Sequence, residues 1–108
     1  MRSSNYKQGE ITNDTHLLRV SAPLFSVHSV PYKAIIDRLI QARVDARLTQ
    51  DQVARMWGRT QSIVAKIENR ERRIDVVEFV ALSLIVQLDP AAVVDEIRSR
   101  YFDKTPSL

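Results

Sequence analysis

From Tyr32 onward the chain alternates apolar and polar positions with the 3.6-residue period of a helix lying on a core. Ile35, Ile36, Leu39, Ile40 and Val44 recur at that spacing, with Lys33, Asp37, Arg38, Gln41 and Asp45 on the other side, and predict a first helix over residues 32–46. Arg43 falls beside Leu39 and Ile40 on the apolar edge, where a charge needs a partner. Thr49 and Gln52 then have the spacing of a capping box, and Gly58 after Trp57 can take the left-handed conformation that ends a helix, so a second helix is short. Val53, Ala54 and Trp57 form its inner edge, and the small Ala54 lets another helix cross closely.

Thr60 predicts the next start, with a helix from Gln61 to Asn69. Ile63, Val64 and Ile67 make a narrow inner edge; Gln61, Ser62, Ala65, Lys66 and Asn69 collect on the opposite face. Asp75 with Glu78 predicts a fourth, capped helix, apolar on nearly all sides from Val76 to Leu88. Asp89-Pro90 predicts a fifth, with Val93, Val94, Ile97 and Tyr101 on one face. A small monomer struggles to bury so much apolar surface, which suggests a homodimer; one well-covered core is the alternative.

Residues 1–31 lack a sustained helical period and are rich in Ser, Asn, Thr and His. They are expected to be a disordered N-terminal arm, within which His16 to Val20 and Leu24 to Val30 could be short extended segments. Such an arm could touch DNA, pair with a second subunit or bind a protein partner. The expected layout is this arm, an all-α domain of five helices over residues 32–102, and a frayed tail over 103–108.

Composition narrows the chemistry. A chain of 108 residues suits one small core. With no cysteine there is no disulfide scaffold, Cys-ligated zinc or thiol catalysis. His16 and His28, without flanking carboxylate pairs, read as surface groups rather than ligands, so no metal or cofactor is expected. Neither a signal peptide nor a membrane-spanning run is visible, which predicts a cytoplasmic protein without a membrane partner. The net charge is +3, yet residues 55–73 hold six cations (Arg55, Arg59, Lys66, Arg70, Arg72, Arg73) against Glu68 and Glu71. That local excess exceeds the whole chain's. A basic patch of this kind attracts polyanions by releasing their condensed counterions, although a merely solvated face is equally compatible with charge alone.

Two short helices around a tight glycine turn form the helix-turn-helix arrangement. The run Thr49-Gln50-Asp51-Gln52-Val53-Ala54, then Gly58, then Thr60 through Asn69, resembles the phage repressor and Cro type of helix-turn-helix domain, the XRE family. Glu71 to Phe79 is similar to the stretch that follows the recognition helix in short bacterial members. The resemblance spans roughly Ile35 to Ile97. It implies a lambda-repressor-like fold and a sequence-specific, dimeric regulator of transcription, a repressor, bound to double-stranded DNA.

In such a complex Gln61 suits adenine, Ser62 bonds either way, Ala65 leaves room or touches a thymine methyl, and Lys66 reaches guanine or a phosphate. The resemblance implies that Gln50 contacts phosphate and braces Gln61, and that Arg43 pairs with Glu68 as a structural link. Arg59, Thr60, Asn69, Arg70, Arg72 and Arg73 are the remaining phosphate candidates. Many members have Asn-Gly where this chain has Asn69-Arg70, so the loop must turn without glycine's freedom, and Asn69 can tolerate a left-handed conformation. A rival reading is an antitoxin-like or adaptor module whose arm binds a protein partner. An enzyme is the weakest reading, since no nucleophile, base and orienting group share a recognisable spacing.

Overall fold

The computed structural model describes residues 26–103, in which helices are joined by short turns and loops, with no strand among them. Five helices follow in order: α1 (Val30–Asp45), α2 (Gln50–Trp57), α3 (Gln61–Glu68), α4 (Val76–Ile85) and α5 (Pro90–Ile97), continued by a π-helical turn, Arg98–Phe102. The all-α, five-helix expectation holds. The expected arm lies outside the described residues as far as residue 25, as do residues 104–108 of the tail.

The first helix starts earlier than the periodicity predicts. Ser29 caps it, accepting from the Tyr32 backbone N–H at 3.2 Å, and Val30 and Pro31 make its first turn. Proline has no N–H to donate, but the first turn has no acceptor for one, so Pro31 belongs inside the helix rather than before it. The segment expected to be extended up to Val30 is therefore, over residues 26–29, a turn leading into α1. The other starts are set by side-chain caps at Thr49, Thr60, Asp75 and Asp89, with full capping boxes at Thr49/Gln52 and Asp75/Glu78.

The core gathers one stripe from each helix: Ile36 and Leu39, Val53 and Ala54, Val64 and Ile67, Phe79 and Leu82, Val93 and Ile97, with Val86 between α4 and α5. Ala54 is fully covered. With only a methyl group there, α2 and α3 pack closely and α3 is held across the domain with its polar face outward. Ser83 is buried at 0% exposure, and its hydroxyl has no hydrogen-bond partner.

The first four helices close with the same paired bonds. After α1, Leu48 N–H reaches Arg43 O at 3.1 Å and Arg47 N–H reaches Val44 O at 2.9 Å. Equivalent pairs run from Arg59 and Gly58, from Glu71 and Arg70, and from Leu88 and Gln87. This is the Schellman motif, which needs a left-handed residue just past the helix. Gly58 supplies it after α2 with φ 78°, but Arg47, Arg70 and Gln87 supply it elsewhere with φ of 61°, 60° and 63°. The left-handed residue after α3 is thus Arg70, while Asn69 sits at φ −83°. The bond pattern fixes the position just before the residue that makes the longer of the two bonds, whatever residue stands there. A side chain in that conformation costs about 1 kcal/mol. Arg70→Gly should therefore raise stability in urea denaturation by about 0.5 kcal/mol, the strain relief exceeding the added unfolded-state entropy. A clear loss instead would mean that the Arg70 Nη1 bond to Val27 O, at 3.4 Å, outweighs the strain.

Candidate nucleic-acid interface

Four side chains from three helices form one hydrogen-bonded line beneath α3. Arg43 of α1 grips Glu68 with Nε to Oε2 at 2.7 Å and Nη2 to Oε1 at 3.0 Å, while its Nη1 donates to Leu48 O at 2.9 Å. Gln50, the first residue of α2, donates from Nε2 to the same Glu68 Oε1 at 2.8 Å. Gln61, the first residue of α3, donates from Nε2 to Gln50 Oε1 at 2.8 Å. The charged end is largely buried, with side-chain exposures of 16% for Arg43 and 11% for Glu68, and Gln61 at the other end is exposed.

The line has a direction. A carboxylate only accepts, so Gln50 must turn its nitrogen toward Glu68 and its oxygen toward Gln61. Gln61 must then offer nitrogen to Gln50. One N–H and the carbonyl oxygen of Gln61 remain for anything approaching from solvent.

Beside Gln61, Ser62 and Lys66 are exposed on the same helix and Ala65 is half-buried. Thr60 accepts from Ile63 N–H at 3.3 Å and is otherwise exposed, and Asn69 is exposed at the far end of α3. Arg73 lies over the Tyr32 ring, 5.7 Å from its centre, and the Tyr32 hydroxyl accepts from Ile74 N–H at 3.1 Å.

Arg59 and Arg72 are engaged differently from the rest of the expected phosphate set. Arg72 forks onto Glu78 at 2.7 and 3.1 Å, and Arg59 stands 3.6 Å from the same carboxylate while stacking on Trp57 at 4.7 Å. The Arg72 hydrogen bonds, together with a bond from Asp75 N–H and the charges of Arg72 and Arg59, outweigh burial and hold the Glu78 carboxyl at a pKa of about 2. A depressed carboxylate pKa stabilises the fold above the unfolded value near 4.5 and loses that contribution as pH falls toward 2. Because Arg72 is partly open to water, the contribution is about 1–2 kcal/mol. Urea midpoints should fall between pH 4.5 and 2, and Glu78→Gln should flatten that decline.

Charge pairing divides the described cations into two groups. Lys33, Arg38, Arg43, Arg55, Arg59, Arg72, Arg98 and Arg100 each lie within 4 Å of a carboxylate. Arg47, Lys66, Arg70 and Arg73 do not, and all four border α3 or the corner before α2. Periodicity and resemblance overlooked Arg47. It is exposed in the α1–α2 corner and lines, with Gln50 and Gln61, a shallow depression of about 590 Å³. Its signal in the sequence is a cation just before a capped helix that opens with Gln50.

His28 is exposed; His16 lies outside the described residues. No described cluster of His, Asp and Glu could hold a metal ion, and no described helix is long and apolar enough to cross a membrane.

No family model matches the chain, and no curated protein matches it. Among solved structures it is similar to an XRE-family like protein from Pseudomonas syringae pv. tomato str. DC3000, at 40% identity and a TM-score of 0.62 over 64% of this chain and 84% of that one. That identity over most of the relative's length, on five helices with α2 and α3 joined at Gly58, makes this chain a member of the XRE family of helix-turn-helix DNA-binding regulators, a family without enzymatic activity.

Proposed function

We propose that the protein is a dimeric transcriptional repressor that reads the major groove of double-stranded DNA with α3. The observation that carries this reading is the oriented line from Arg43 to Gln61. It leaves Gln61 one donor and one acceptor side by side, the pair that matches N7 and N6 of adenine. Ser62 adds an adaptable contact, Ala65 admits or touches a thymine methyl, and Lys66 reaches guanine or a phosphate. Gln50, with one amide hydrogen still free, joins Thr60, Asn69, Arg70 and Arg73 on the backbone. Arg47 belongs with them. The four cations without carboxylate partners support this placement, since a phosphate can neutralise each without breaking an existing ion pair.

The dimer reading rests on apolar surface. Val76, Val77 and Leu84 are exposed by 65–77%, and Val76 and Val80 border an apolar groove of about 490 Å³ with Pro90, Ala91 and Val94. A second copy covering this face would set two α3 helices on one side of the duplex. The repressor role is taken from the resemblance to phage repressors, and a cytoplasmic location goes with it. The DNA-binding unit runs from the Ser29 cap of α1 to the π-helical turn, with the residues before it as an arm and 103–108 as a tail.

Selection from a random DNA pool at physiological salt tests both parts. A two-fold symmetric motif with half-sites about 34 Å apart is expected. Enrichment without any shared motif would overturn base reading, and an asymmetric single half-site would overturn the dimer.

A further inference from the structure

Three parts of the chain end on the Glu78 carboxylate. Asp75 N–H donates to Oε1 at 3.1 Å, completing the capping box of α4. Arg72 donates from Nη1 to Oε1 at 3.1 Å and from Nη2 to Oε2 at 2.7 Å. Arg59 Nη1 lies 3.6 Å from Oε2. Arg59 immediately precedes the cap of α3, and Arg72 lies in the loop after it. One carboxylate therefore holds a cation from each end of the helix, and its own side chain is only 15% exposed. Among the described residues Arg47, Lys66, Arg70 and Arg73 have no such partner.

We propose that Glu78 sets the strength of sequence-independent DNA binding: it withholds Arg59 and Arg72 from DNA phosphates and so limits that part of binding to every duplex. The inference rests on α3 being the helix that enters the groove. Each phosphate neutralised by a protein cation steepens the salt dependence of log K by about 0.9. That contribution strengthens binding to every sequence alike. An arginine already forked onto a carboxylate must give up one anion to reach another, so little is gained. Gln61 and Lys66 make no contact with Glu78 and keep their full effect on base choice. Keeping two cations in reserve thus lowers affinity for unrelated DNA more than it lowers discrimination.

The test is anisotropy titration of the full chain on its selected duplex and on an unrelated duplex, from about 50 to 200 mM salt. Glu78→Gln keeps an oxygen to accept from Asp75 N–H, since glutamine also completes a capping box, but removes the charge. It should steepen the salt slope on both duplexes by about 1–2 and tighten binding to both, leaving the ratio between them nearly unchanged. Arg72→Gln added to Glu78→Gln should take back about 0.9 of that slope. Arg59→Gln with Glu78 in place should leave the slope as in the wild type. An unchanged or flatter slope in folded Glu78→Gln overturns the proposal. A loss of about 0.9 in Arg59→Gln overturns it too, and that variant decides the matter if Glu78→Gln does not fold. Wild-type protein that binds neither duplex would sink the DNA reading itself, whereas normal wild-type binding with no response to Glu78→Gln removes only this inference.

Discussion

Glu68→Ala is expected to destabilise the domain by about 3 kcal/mol, the largest effect of any single change at the interface. Arg43 and Glu68 are held together at 2.7 Å with little access to water. Removing the carboxylate leaves the guanidinium buried with only Leu48 O as an acceptor. An unpaired buried charge costs more than the pair itself contributes. Arg43→Met combined with Glu68→Met should therefore lose less than Glu68→Ala alone, because no orphan charge remains. Urea denaturation checks both, and a loss below about 1 kcal/mol for Glu68→Ala would show that water reaches Arg43 freely.

Gln61→Ala should leave stability nearly unchanged, since the residue is exposed at the start of α3. Its effect falls on sequence preference. A lost bidentate base contact costs about 1–3 kcal/mol, or roughly 5- to 150-fold, at one position of the selected site. Binding to unrelated duplexes should barely move, because no cation is removed. Competition titrations with site variants measure this directly. If the preference at every position survives Gln61→Ala, α3 does not read bases through that residue.

Features fixed by local chemistry were legible in the sequence. Thr49, Thr60, Asp75 and Asp89 read as caps because a short side-chain oxygen before an apolar run has few other uses, and each caps its helix in the structure. The start of α1 is ambiguous in the sequence because Pro31 reads equally as a boundary or as a first-turn residue, and the Ser29 hydroxyl decides it by capping the helix. Intrinsic preference makes Asn69 able to take a left-handed conformation after α3, whereas the bond pattern of the helix end imposes it on Arg70. The engagement of Arg59 and Arg72 with Glu78 was not legible, since no spacing rule brings residues 59, 72 and 78 together. Only the packing of α4 behind the α2–α3 turn does so.

With α3 in the major groove as proposed, the direction of the line beneath it would restrict which bases position 61 can favour. With Glu68 in place, Gln50 always presents an acceptor to position 61. Asparagine, lysine or arginine could replace Gln61 and still donate to it, so preference can drift between adenine and guanine by single substitutions. Aspartate or glutamate, the residues that favour cytosine, would set two acceptors against each other. Favouring cytosine there would require position 50 to change as well, an epistatic barrier lodged in a side chain that never meets the base.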